Sequence, residues 1–298
     1  MSLTAFLLVF ISVFMHAGWN FIGKKESPSS AFFLIAAFAG GIFCLPFTLF
    51  SGVDIFAIPM KFWLVLLCSC AFNGVYFFAL ASGYRNGDIS LVYPLGRSLP
   101  VLLTAAVTML LKIGGKPLST NALIGMGILF AGCVILPLQK WNDFKIKTYM
   151  SKIFFWVLLI SAGTTGYTIL DSVNMEILKQ VSFKNEIFRA IFYMGTAEVF
   201  IVLYMFWLVI FSRRERVELM RISRSWYPYV AGIFSASAYI LVLLAMNQVT
   251  NVCYIQAFRQ MSLPVGMFAG VLILKESCSV PKVIGIILIV VGLVLTSV

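Results

Sequence analysis

Long apolar runs separated by short polar stretches make up most of this 298-residue chain. A membrane-spanning helix needs about 20 mostly apolar residues. Ten runs answer to that: 3–22, 31–50, 61–83, 89–111, 121–138, 153–173, 187–211, 227–247, 252–274 and 281–297. The pattern predicts an all-α integral membrane protein with ten transmembrane helices. The narrowest break lies between the third and fourth runs, where Asn86-Gly87 marks a turn. The longest polar stretches, Gln139–Lys152 and Ser212–Trp226, are too short to fold as domains, so the chain reads as one membrane unit.

The ten runs divide into five and five. Gly125–Gly132 recurs as Gly285–Gly292, 160 positions on, and Gly18-Trp19-Asn20 is echoed by Gly166-Tyr167-Thr168, 148 positions on. Tyr76 has a counterpart in Tyr239. Repeats with an odd number of helices cross the membrane in opposite senses, which predicts two inverted five-helix repeats: residues 1–138, a basic linker 139–152, and residues 153–298. A substrate site then belongs near the midplane, where the repeats meet.

Two stretches carry the clearest chemistry. Leu91–Val101 and Tyr254–Val265 both end in Ser-Leu-Pro-Val, and each holds one arginine, Arg97 or Arg259, deep inside an apolar run. An arginine there costs roughly 2.5–3.5 kcal/mol on insertion scales. Matched arginines point to a guanidinium pair offered to a carboxylate, phosphate or phosphonate. The alternative is a structural role, each arginine paired with a buried acid or with carbonyls freed by Pro94, Pro100 and Pro264.

Composition agrees with a membrane protein: 61% hydrophobic, 11% charged, mean hydropathy +1.00, where soluble chains carry about a quarter charged residues. The net charge of +11 sits mostly between the runs and reads as helix orientation rather than nucleic-acid binding. Apart from the two arginines, 14 Lys/Arg fall in loops 1–2, 3–4, 5–6, 7–8 and 9–10, and 6 in the others. By the positive-inside rule both termini lie outside. The first run lacks a basic start and continues into Lys24-Lys25, so it reads as a helix of the mature protein. The six cysteines have no Cys-x-x-Cys spacing and read as packing residues, with no disulfide or metal indicated.

The Trp19-Asn20-Phe21 element with its following lysines, Tyr167-Thr168-x-x-Asp171, the arginine-bearing fourth and ninth helices and the paired glycine helices resemble the EamA family of the drug/metabolite transporter superfamily. The resemblance covers essentially the whole chain. It implies ten helices in two inverted repeats, a central cavity lined by helices 1, 3, 4, 6, 8 and 9, alternating access and no cofactor. It also implies cytoplasmic termini, against the charge count, and a multi-pass protein of the bacterial inner membrane. One departure is Gly115-Lys116, where the family has Gly-Glu; the second half has Lys275-Glu276.

On the cavity helices, Trp19, Asn20, Tyr76, Tyr93, Tyr167, Thr168, Tyr239 and Tyr254 join Arg97 and Arg259 as candidate substrate-binding residues. Aromatic walls hold ammonium groups through cation–π contact, although Trp and Tyr also collect at membrane interfaces. Glu198, Asp171 and His16 are the proton-coupling candidates. Glu198 either carries a proton or neutralises an arginine in a static pair. Asp171 reads as structural, holding a helix end or pairing with Arg189, and His16 faces the cavity or bonds between helices. No motif for ATP use, hydrolysis or a metal site is present, which argues against an enzyme. The sequence therefore favours a secondary transporter for a small polar metabolite with an acidic group, such as an amino acid or an aminophosphonate-like zwitterion. Proton or ion coupling is open. The alternatives are an exporter of lipophilic cations or quaternary ammonium compounds, and an integral-membrane enzyme acting on lipid head groups.

Overall fold

The computed structural model describes residues 3–25, 29–86, 89–144, 152–274 and 278–297. Twelve helices are found among them: α1 Leu3–Lys25, α2 Ser30–Leu49, α3 Met60–Asn86, α4 Ile89–Leu111, α5 Thr120–Ile135, α6 Lys152–Leu178, α7 Glu186–Ile210, α8 Arg213–Ile222, α9 Tyr227–Met246, α10 Val252–Phe258, α11 Ser262–Leu274 and α12 Val280–Ser297. Seven of them, α2, α3, α4, α6, α7, α9 and α12, are long and apolar enough to cross a membrane. The apolar parts of α1 (Leu3–Trp19) and α5 are shorter. Large apolar side chains such as Phe38, Ile42, Leu110 and Trp207 are exposed on the outside of the bundle, as a protein facing lipid requires.

Two expectations are corrected. The ninth run, 252–274, is not one helix: it breaks into α10 and α11 at a 3₁₀ turn, Arg259–Met261. Pro264 has no amide hydrogen to give to the Gln260 carbonyl, so a rung of the α-helical ladder is missing where the chain breaks. The polar stretch 212–226 is not all loop. Ser212 caps the first turn of α8 by accepting the Glu215 amide, and the Arg-rich helix packs against α2 and α7. Despite Pro94 and Pro100, α4 stays continuous. The turn at 87–88, most of the basic linker and the Lys275-Glu276 pair lie outside the described residues.

Helices of the first half find their main partners in the second. α1 packs along α9, α2 along α7, α3 along α6 and α5 along α12, while α4 packs mainly against α6 and touches α10. Counting α6, α7, α9, α10–α11 and α12 as positions one to five of the second half, one meets three, three meets one, two and five each meet their own number, and four meets chiefly one and touches four. The α1–α9, α2–α7, α3–α6 and α5–α12 pairs are antiparallel: the Ser12 hydroxyl donates to the Ala238 carbonyl while Gly18 faces Phe234. Gly125 likewise faces Gly292, and Gly132 faces Gly285. Here the backbones touch. A Cβ on Gly132 would lie 2.6 Å from the Gly285 oxygen, and one on Gly125 2.6 Å from the Gly292 oxygen.

At the bundle end where α4 stops, the loops of the two halves are tied backbone to backbone. The Lys116 amide donates to the Thr250 carbonyl (2.7 Å) and the Val252 amide to the Gly114 carbonyl (2.9 Å). Gly115 stands at φ +118°, where a Cβ would meet the Thr250 oxygen at 2.1 Å. Glycine is the residue that this position accepts. The departure at Gly115-Lys116 thus falls on an inter-half strap.

The crossing of α5 and α12 yields a prediction. Gly132→Leu overpacks it and destabilises the protein by about 1–3 kcal/mol, read as a lower melting temperature in detergent. Gly127→Ala, on the same helix with nothing near its would-be Cβ, leaves the melting temperature close to that of the parent.

Candidate functional site

Helical periodicity brings the polar residues of the seam together. Ser69, Asn73 and Tyr76 recur at steps of four and three on α3; Tyr167 and Asp171 are four apart on α6; Ala197, Glu198 and Ile201 share one face of α7. His16 and Trp19 from α1, Tyr193 from α7, and Ser235 and Tyr239 from α9 complete the wall. Arg259 enters from the break after α10. Together they line an internal cavity between the halves, with about 50 Å³ of room for water-sized molecules. That is space for a few waters.

Asp171 is the best-satisfied polar group here. Its side chain is 3% exposed, and its carboxylate accepts hydroxyls from three other helices: Ser69, Tyr193 (2.5 Å) and Tyr239. Tyr167 lies between Tyr76 and Tyr239, edge-to-face with both, at centroid distances of 5.7 Å and 5.9 Å. Its hydroxyl accepts from Arg259 Nη2 at 3.4 Å. The Arg259 guanidinium stands 5.5 Å from the Tyr239 ring centroid, a cation–π distance. The Trp19 indole donates to His16 Nδ1 (2.9 Å) within α1, so this bond does not join helices.

Three groups keep open valences. Arg259 is 4% exposed, yet its Nε and Nη1 have no hydrogen-bond partner among the described residues. Asn73 Oδ1 accepts nothing there. Glu198, 5% exposed, receives no hydrogen bond or ion pair among the described residues. It fits beside Gly40, where a Cβ would sit 2.9 Å from its Oε1.

The predicted site residues thus separate. Arg259, Trp19, Tyr76, Tyr167, Tyr239, Glu198, Asp171 and His16 line the cavity. Arg97 does not: its Nη2 donates to the Arg259 carbonyl (2.9 Å) and to Ser262 Oγ (2.9 Å), bracing the broken helix. Asp171 does not pair with Arg189, which reaches Glu186 at 3.5 Å; nor does Glu198 neutralise either arginine. Thr168 donates to Gln256 Oε1 (3.5 Å) away from the cavity, and Tyr254, half-buried on α10, does not line it. Asn20 and Tyr93 lie on α1 and α4, with side chains outside those described. Sequence reading missed Ser69, Asn73 and Tyr193. The spacing of Ser69, Asn73 and Tyr76 was the available signal for the first two.

Asp171 sets a testable order of stabilities. Asp171→Ala strands three hydroxyls, each at a cost of about 1–3 kcal/mol if left buried without a partner. Tyr193→Phe removes one donor and leaves two, costing about 0.5–1.5 kcal/mol. Thermal unfolding of both variants should therefore rank Asp171→Ala well below Tyr193→Phe.

Comparison with known proteins puts this geometry in context. No curated protein matches the chain. A solved crystal structure of a protein 13% identical superimposes with a TM-score of 0.68 over 98% of this chain and 97% of its own, so the two share a fold. The model of the EamA-like transporter family matches residues 3–136, which contain α1 to α5 and their half of the cavity wall. Residues 3–136 are thus similar to the EamA-like transporter family, membrane transporters of the drug/metabolite type, and the seven helices long and apolar enough to cross a bilayer fit a multi-pass membrane protein.

Proposed function

We propose that the chain is a secondary transporter working by alternating access, built from two inverted five-helix repeats, residues 1–138 and 153–298, joined by the linker 139–152. The partner exchange between halves and the antiparallel sense of the four long pairs support this arrangement, because a two-fold axis in the membrane plane relates helices in that way. The shorter α1 and α5 and the broken α10–α11 then complete ten crossings.

The substrate is a small polar metabolite with an acidic group, and the observation that carries this is Arg259. A buried guanidinium with two unpartnered nitrogens facing a cavity is a standing offer to a carboxylate, phosphate or phosphonate. Across the same cavity the open carboxylate of Glu198, Asn73 Oδ1 and the rings of Trp19 and Tyr167 suit an ammonium, which favours a zwitterion such as an amino acid or aminophosphonate. With room for only a few waters, the cavity must widen to admit such a molecule. Glu198 has the further role of coupling residue, taking a proton in turn with the substrate. Arg97 acts by holding the turn from which Arg259 projects. The charge distribution favours termini outside the cell. Export of lipophilic cations fits less well, since an unpaired guanidinium repels them.

A thermal-shift screen of the purified protein tests this, because a ligand that binds only the folded state raises its melting temperature. Amino acids, aminophosphonates, phosphorylated metabolites and quaternary ammonium compounds are the probes. The expected result is stabilisation by an anionic or zwitterionic compound that is lost in Arg259→Ala. Stabilisation by lipophilic cations alone, kept in Arg259→Ala and lost in Glu198→Gln, would reverse the assignment.

A further inference from the structure

The cavity continues towards the bundle end at which α2 begins. A smaller space shares Trp19, Phe77, Glu198 and Ser235 with it and adds Phe32, Phe33 and Ala36 from the first turns of α2. Across this extension Phe33 stacks on Phe77, with centroids 4.7 Å apart and planes at 21°. Directly beyond, the Ala31 amide donates to Glu215 Oε2 at 3.0 Å, and Arg85 Nη2 reaches Glu215 Oε1 at 2.5 Å. The Glu215 side chain is only 7% exposed. Ala31 lies in the first turn of α2, Arg85 in the last turn of α3 and Glu215 on α8, so one carboxylate ties two helices of the first half to one of the second. The first turn of a helix favours an anion and a guanidinium does too; both interactions end together if α2 moves away from α8.

We propose that Glu215 is a latch on this end of the cavity, released when the transporter opens on the face that carries Arg85 and the arginines of α8. The proposal rests on the alternating-access reading given above. At the opposite end the closure is of another kind, the backbone strap between Lys116 and Thr250 and between Val252 and Gly114. The ion pair is thus the part that a change of side chain can open on one face alone.

The test follows entry to the cavity from each face. Ser235→Cys places a thiol on the wall shared by both spaces. The full-length protein is reconstituted in right-side-out and inside-out vesicles. A membrane-impermeant maleimide is applied to each, and modification at residue 235 is read by mass spectrometry, which separates it from the native cysteines. Glu215→Ala and Arg85→Ala should each raise the labelling rate from the latch face by about tenfold, the scale of one lost charge-assisted hydrogen bond. The rate from the other face should not change. Glu215→Gln, which retains an acceptor for the Ala31 amide, should fall between parent and Glu215→Ala. Labelling that stays at the parent level from both faces overturns the latch. So does an equal rise from both faces with a lower melting temperature, which would mean general loosening. If the latch variants act as expected but the parent is labelled from one face under all conditions, the latch stands and the alternating-access reading falls.

Discussion

Inside a bilayer a polar group has no water to turn to, and the rest of the structure follows from how each such group is satisfied. Asp171 collects three hydroxyls, one each from α3, α7 and α9, and so fixes the mutual position of four helices. Arg97 is drawn to the carbonyl of Arg259, and Ser12 bonds the Ala238 carbonyl across the seam. Other buried groups, such as Asn174 and Asn247, also keep capacity in reserve, but Arg259 and Asn73, with the open carboxylate of Glu198, do so on the wall of the cavity. A buried polar group without a partner is costly. Its persistence is best understood as readiness for something that comes and goes.

The placement of that reserve is a result of topology. Every long helix of the first half has its main partner in the second, so the surface between the halves is large and runs through the molecule. Polar side chains that would be excluded from lipid gather on it. Tight glycine crossings between α5 and α12 keep one side of the bundle close-packed, while the seam around Tyr167 holds the cavity. Rigid contact on one side and a small internal space on the other is an arrangement that permits rocking.

Much of this was legible in the sequence. Apolar runs located the helices because lipid imposes length and apolarity directly, and the glycine spacing marked the pair that crosses closely. The two arginines looked equivalent, since their local sequences match. They differ in the structure because the break after Phe258 turns one guanidinium inward and gives the other a carbonyl to hold. Nothing in the sequence distance between Ser69, Asp171, Tyr193 and Tyr239 signals that they meet, and Asp171 therefore read as a helix-end residue. Glu215 was hidden for a related reason: a charge in a basic stretch looks solvated until the fold buries it against α2. Periodicity reads one helix at a time, and these groups are defined by their neighbours on others.

The broken helix has a consequence for how such a sequence can vary. Arg97 presents its charge where α10 ends, at the negative pole of that short helix, and so the cation and the interruption compensate each other. A lineage that lost the proline at 264 and restored a continuous helix would leave the guanidinium of Arg97 facing a carbonyl already in use. A lineage that lost Arg97 would leave that pole without its cation, held by the neutral amide and hydroxyl of Ser262. Arginine in the fourth segment and proline after the arginine of the ninth should thus be gained and lost together, although 167 positions separate them in the chain.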